Sequence, residues 1–136
     1  MKKLLTIAAA STALILGATS AQAESRMERG EARLASLLEG RVAGEPQSCI
    51  STFRSNGIRV IPYVGVIYDA GDTVYVARAV RPQNLRASDV PVFERFGSQL
   101  CRNDVIRTMD RHANYVTGTL FLEDFIPYTR VEDAEG

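Results

Sequence analysis

The first 23 residues decide what the rest of this chain can become. They begin with the basic Met1–Lys3, continue through an apolar run from Leu4 to Leu16, and end at the small-x-small sequence Ala21-Gln22-Ala23. This is the pattern of a bacterial secretory signal that is removed on export. We therefore expect cleavage near Ala23, a location in the periplasm or outside the cell, and a folded part that begins at Glu24.

The part that follows this segment has the length of one domain. Cleavage after Ala23 leaves 113 of the 136 residues, which is enough for a single hydrophobic core but not for two. No later apolar stretch approaches the roughly 20 residues that a spanning helix needs. We expect a protein without a transmembrane anchor, and the sequence leaves its oligomeric state open.

The charges of the chain argue against a nucleic acid as the partner. Both lysines lie in the first 23 residues, so the 14 remaining basic residues are arginines, against 16 acids. These arginines are interleaved with acids, whereas phosphate backbones are bound by concentrated basic patches. Residues 131–136 are acidic, which predicts a solvated tail at the end of the domain.

Cys49 and Cys101 are the two cysteines of the sequence. In an oxidising compartment, a lone pair of cysteines is most simply one structural disulfide. A bridge that closes so long a loop contributes roughly 4 kcal/mol in the chain-entropy model. The redox-active alternative is less favoured because closely spaced cysteines such as C-x-x-C are absent.

Residues 24–40 have the pattern of an amphipathic helix. Ser25 and Glu28 match a capping box, and Gly40 stands where a helix end favours a left-handed residue. The apolar stripe is narrow, and Gly30 weakens its middle. We expect a helix that either packs loosely on the domain or is a mobile leader ahead of it, and that contributes little to the core.

From Cys49 onward the apolar period changes from 3.6 to 2, which is typical of strands. Asn56-Gly57 and residues 69–72 are turn signals, and Pro62 indicates either an edge strand or a break. The predicted strands cover residues 49–54, 58–68, 74–78, 92–96, 100–101, 104–109 and 119–126, with a loop at 81–90 and an end at Pro127. Short strands at such intervals predict a mainly β domain over 41–130, a small antiparallel sandwich or partly open barrel.

His112 is the one histidine, and it lies in a predicted turn beside Asp110. A hydrolase or ligand-binding enzyme that uses His112 with Asp110 or Asp104 is one hypothesis for the function. The sequence offers no recognisable nucleophile beside it, because Gly97-Ser98 lacks the flanking glycines of a nucleophile elbow. A single histidine and two oxidised cysteines also predict no metal site, and no cofactor motif is present.

The strongest candidate for a binding surface is the cluster at residues 125–130. Phe125, Tyr128 and Arg130 combine aromatic rings with a guanidinium group, which are favoured at protein interfaces. The alternative is that the two aromatic residues close one end of the core while Arg130 pairs with an acid.

Three motifs resemble those of a family of small exported proteobacterial proteins that has no assigned activity. They are Ser48-Cys49-Ile50-Ser51, Phe96-Gly97-Ser98-Gln99-Leu100-Cys101 and Asp124-Phe125-Ile126-Pro127-Tyr128-Thr129-Arg130. The resemblance covers residues 38–130. It implies a shared compact domain with a Cys49–Cys101 pairing, and it implies no catalytic residues.

These observations favour an exported, non-enzymatic module that binds a protein or another component of the cell envelope. The enzyme hypothesis based on His112 is the alternative from a different class. A purely structural envelope protein without a single ligand is a third possibility.

Overall fold

The computed structural model describes residues 18–53, 57–94 and 97–134, with side chains from residue 25 to residue 132. The predicted signal core, Asn56 of the predicted turn and the last two residues of the acidic tail lie outside these ranges. The described elements are α1 (Ala18–Leu37), β1 (Arg41–Ala43), β2 (Cys49–Ser51), β3 (Ile58–Ile61), β4 (Gly65–Asp69), β5 (Thr73–Ala79), β6 (Asp89–Phe93), β7 (Gln99–Cys101), β8 (Ile106–Asp110), β9 (Val116–Leu120), β10 (Leu122–Arg130) and α2 (Val131–Ala134).

The strands form three antiparallel sheets within the described ranges. The largest has five strands in the order β1-β10-β5-β4-β3, a second pairs β2 with β7, and a third has the order β6-β8-β9. The sheets do not close into a barrel, and the long helix precedes them. The predicted fold class, a mainly β antiparallel domain with an N-terminal helix and one disulfide, is confirmed.

The five-stranded sheet has a hydrophobic cluster on each of its faces, because side chains alternate along its central strands. In β4, Val66 and Tyr68 point to one cluster and Ile67 to the other. The first cluster joins this sheet to the two smaller sheets through Ile50, Val66, Tyr68, Ala77, Ala79, Leu85, Leu100, Ile106, Leu120, Leu122 and Phe125. The second lies against α1 and contains Leu34, Ile61, Val64, Ile67, Val74 and Val76.

The helix α1 packs against the second cluster, so it is not a leader detached from the domain, while its small contribution to the core stays a prediction. Leu34 is only 3% exposed and belongs to the second cluster. Gly30 lies against the turn after β3, where an added Cβ would be 2.6 Å from the Pro62 carbonyl oxygen and 2.8 Å from Val64 Cγ2. The glycine that weakens the helix locally is therefore what lets the helix approach the sheet.

The N-terminal part of α1 differs from the sequence prediction, whereas its C-terminal end agrees with it. The described part of the helix runs from Ala18, so Ser25 lies inside it, where its carbonyl oxygen and Oγ accept hydrogen bonds from the Arg29 guanidinium at 3.1 and 3.2 Å. Ser25 is therefore not a cap in the full chain, in which residues 18–24 precede it in the helix. At the other end, Gly40 has a φ of 74°, the left-handed conformation that its position predicts.

The disulfide between Cys49 and Cys101 is formed, as predicted. The two residues face each other across β2 and β7, with a Cα–Cα distance of 4.0 Å. The neighbouring pair Ile50 and Leu100 is buried in the first cluster. The disulfide therefore joins two strands at the edge of the hydrophobic core, and its cysteines are 52 positions apart in the sequence.

Pro127 does not end the last strand, which continues to Arg130, so this prediction is wrong. Proline cannot donate a backbone hydrogen bond, and it is tolerated where no donor is needed. The Pro127 carbonyl accepts from Gly44 N at 2.7 Å, which places the missing donor on the same outer side of β10. The pairing of β10 with β5 is therefore preserved through Pro127 and Tyr75.

Along the described residues, no helix is both long enough and apolar enough to cross a membrane.

Gly30→Ala tests the close contact between α1 and the turn after β3. Helix propensity alone predicts a gain of about 1 kcal/mol for this change. We expect instead a loss of about 1–2 kcal/mol in the free energy of unfolding, because the new methyl group overlaps Pro62 and Val64. Urea denaturation measures it. Ser36→Ala, an exposed position in the same helix, is the control and should leave stability unchanged or slightly raised; a stabilised Gly30→Ala would contradict the packing.

Candidate functional site

The clearest polar depression is a groove between the segment after β5 and strand β9. Its volume is about 500 Å³. One wall carries two exposed arginines and two amides, and the other carries hydroxyls and an aromatic ring that is 60% exposed. The residues that line it are Arg81, Gln83, Asn84, Leu85, Arg86, Thr108, Thr117, Gly118, Thr119, Leu120 and Phe121. Among the described residues, no carboxylate belongs to this lining, and we call the site the β9 groove.

A buried carboxylate holds the two walls of the β9 groove together. Asp89 is 2% exposed, and its two oxygens accept from Arg86 N at 2.8 Å and from Thr117 Oγ1 at 2.9 Å. Thr117 Oγ1 also lies 2.8 Å from Thr108 Oγ1. Since the single hydroxyl hydrogen of Thr117 goes to the carboxylate, Thr108 donates to Thr117. This network links the two walls of the groove through side-chain and backbone hydrogen bonds.

The arginines of the β9 groove are free to act on a ligand. The side chains of Arg81 and Arg86 are exposed, and neither forms a hydrogen bond or an ion pair with another described side chain. A guanidinium group offers planar donors that match a carboxylate. The groove therefore presents two guanidinium groups without a side-chain partner among the described residues, beside the buried Asp89.

Strand β9 is also an edge strand within the described part of the chain. It pairs with β8 from Ile106↔Leu120 to Met109↔Val116, and no other described strand pairs with it. An edge strand presents backbone donors and acceptors that can pair with an added extended segment. The groove thus combines side-chain charge with an available strand.

The structure places His112 in an exposed turn and gives its ring no carboxylate partner among the described residues. The backbone N–H groups of His112 and Ala113 donate to Asp110 Oδ1 at 2.8 and 3.0 Å. These hydrogen bonds, that of His112 first, lower the pKa of Asp110 below its usual value. Asp104 accepts from Cys101 N at 2.8 Å and so fixes another turn. Both carboxylates named in the enzyme hypothesis therefore accept hydrogen bonds from backbone N–H groups in turns.

The structure does not bring the predicted cluster at 125–130 together as one patch. Phe125 is 1% exposed in the first hydrophobic cluster, whereas the half-buried Tyr128 packs against the second, on the opposite face of the sheet. Arg130 is exposed and shares the face of Tyr128, because it follows two residues later on β10. Tyr128 and Arg130 stay a predicted binding surface, and Phe125 packs in the core as in the alternative.

The residues of the β9 groove were not predicted as a site. Arg81 and Arg86 fall in a segment that the sequence predicts as a loop. Phe121, 35 residues after Arg86, falls in the strand predicted at 119–126, and in the structure it lies between β9 and β10. The available signal was an exposed aromatic residue beside a polar loop, which many surfaces share. Within the described ranges, no group of three or more histidine, cysteine, aspartate or glutamate residues is placed to hold a metal ion.

Comparisons with protein-family models, with curated proteins and with solved structures give no match to this chain. The resemblance to small exported proteobacterial proteins therefore stays a prediction.

The turn at Asp110 gives a direct test of the role of His112. Since backbone N–H groups lower the Asp110 pKa, we expect His112→Ala to leave that pKa low in an NMR titration. The lowered pKa stabilises the fold above about pH 4, and this contribution is lost as the pH falls through the folded-state pKa. Asp110→Asn should accordingly be less stable than the wild type at neutral pH and converge with it in acid. A return of the pKa to its usual value in His112→Ala would instead assign the shift to the imidazole ring.

Proposed function

We propose that this protein is exported and is a non-enzymatic binding module of the cell envelope. The N-terminal pattern of basic residues, apolar run and Ala21-Gln22-Ala23 supports export through a secretory signal. The Cys49–Cys101 disulfide supports an oxidising compartment such as the periplasm, because such bonds are rare in the cytosol.

Export gives a defined N-terminus. We expect the protein recovered from the periplasm or the medium to begin at Glu24, because cleavage follows the small residue Ala23. Intact mass spectrometry measures this directly. Replacing Ala23 with Gln, a residue too large for the cleavage site, should retain residues 1–23 in the product. A wild-type product that keeps Met1 would contradict export through this signal.

The single observation that supports the binding function is the composition of the β9 groove. Arg81 and Arg86 are exposed and unpaired among the described side chains, and the described lining of the groove contains no carboxylate. The charge of the groove is therefore complementary to an acidic ligand. Gln83 and Asn84 can both donate to and accept from peptide groups, and Phe121 offers an apolar surface.

The occupant that fits these features is an extended peptide segment with acidic side chains, contributed by an envelope protein. Such a segment pairs its backbone with the free edge of β9 and places its carboxylates against Arg81 and Arg86. The Asp89–Thr117 hydrogen bond links the two walls, so binding does not need to bring them together. Binding of this kind requires no catalytic group.

A labelled octapeptide of alternating Glu and Val tests the proposal. We expect it to bind by fluorescence anisotropy, and Arg81→Gln with Arg86→Gln to weaken that binding by about tenfold or more, because charge-assisted hydrogen bonds are lost. Hydrogen exchange of the amides at 116–120 should slow when the peptide binds, as strand addition requires.

Two controls make this experiment specific. Arg111→Gln removes one guanidinium charge at an exposed turn outside the lining of the groove and should leave the affinity unchanged. An octapeptide of alternating Lys and Val should bind at least ten times more weakly than the acidic one. Equal binding of the two peptides, or an acidic peptide that the double variant still binds normally, would refute the assignment to this groove.

A further inference from the structure

Three arginines lie on one flank of α1. Arg26, Arg29 and Arg33 are spaced i, i+3 and i+7, which brings them to the same side of a helix. All three are exposed, and none has a carboxylate within ion-pair distance among the described residues. The helix acid Glu31 lies on the other flank, where it pairs with Arg78 of β5.

These arginines surround a groove at the junction of α1 with the turn between β3 and β4. The groove has a volume of about 430 Å³, and Gly30, Pro62 and Tyr63 form its floor. Its lining includes no acidic residue among the described side chains. Because Gly30 lets the helix approach Pro62 so closely, the arginine flank is held directly beside this turn. We call it the arginine groove.

Tyr63 holds an uncommon backbone conformation at this place. Its φ is 62°, a left-handed value that is rare for a bulky residue. The turn is kept in this form by Tyr63 N, which donates to Leu85 O at 2.9 Å, and by Val64 N, which donates to Ile61 O at 3.1 Å. The result is a phenol ring presented to the groove, whose hydroxyl accepts from Arg26 Nη1 at 3.5 Å. That hydroxyl keeps its own hydrogen available for a ligand.

We propose that the arginine groove binds a phosphate group, carried by a small molecule or by a lipid headgroup. A phosphate has several strong acceptor oxygens and concentrated negative charge, so it can use two or three guanidinium groups at once. The donors available are the forks of Arg26 and Arg33 and the hydroxyl of Tyr63, with Arg29 held to Ser25 beside them. A single carboxylate has only two oxygens and would leave part of this donor set unused.

The site is separate from the β9 groove. Ala87 lines the arginine groove, and its neighbour Arg86 lines the other, so the same segment forms a wall of each. The ligands differ, because the β9 groove offers an edge strand for an extended chain whereas the arginine groove offers a compact set of donors. Phosphate binding can therefore hold or fail independently of peptide binding.

Glycerol 3-phosphate and vesicles distinguish the two sources of phosphate. We expect glycerol 3-phosphate to bind in isothermal titration, with an affinity that falls as salt is added. Vesicles of phosphatidylglycerol should bind the protein more strongly than vesicles of phosphatidylcholine, whose headgroup has no net charge. Binding to phosphatidylglycerol vesicles without binding of glycerol 3-phosphate supports the site with a lipid as its source. Binding to neither refutes the proposal.

Variants assign the binding to this groove. Arg26→Gln with Arg33→Gln should weaken phosphate binding about tenfold or more, whereas Arg81→Gln with Arg86→Gln should leave it unchanged. Tyr63→Phe keeps the ring and removes one donor, and we expect it to weaken binding about threefold or more. Circular dichroism checks that each variant is folded. If the arginine double variant is unfolded, the affinity of Tyr63→Phe alone tests whether phosphate binds in this groove. Unchanged affinity in both variants, or equally strong binding of succinate, would overturn the assignment.

Discussion

The burial of β4 on both faces is the constraint on which the rest of this fold depends. Gly65 to Tyr68 are all buried, and their side chains alternate between two hydrophobic clusters. A single sheet with two apolar faces needs a cover on each side. The two small sheets cover one face and α1 covers the other, so the helix is required by the sequence of β4 as much as by its own apolar stripe.

The sequence predicted the elements whose signal is local. The turn at 69–72 formed as expected, because Asp69 Oδ1 accepts from Gly71 N and Gly71 has a φ of 95°, both of which are properties of those residues. The disulfide followed from the compartment and the cysteine count. The strand around Val92 was also predicted. Its start was placed three residues too late, because the residues from Asp89 have the composition of a loop.

Other features depend on partners far away in the chain and could not be derived from local patterns. Gly30 looks unfavourable in a helix until Pro62 is placed beside it, and Pro127 looks like a strand end until Gly44 supplies the donor on its outer side. The same holds for charge. Arg26, Arg29 and Arg33 alternate with acids in the sequence, but the helix separates them onto one flank and sends Glu31 to Arg78 on the other. Linear interleaving of charges therefore does not exclude a concentrated basic site.

The position of the disulfide affects how the protein responds to proteolytic cleavage. The bridge spans a loop of 52 residues that includes β3 to β6, Tyr63 and the segment from Arg81 to Arg86. A cut at any one peptide bond in that loop leaves Cys49 on one fragment and Cys101 on the other, still covalently joined. A cut between two strands leaves intact the residues that pair β4 with β5 and β2 with β7. Proteolytic cleavage between Cys49 and Cys101 therefore releases no fragment until the disulfide is reduced.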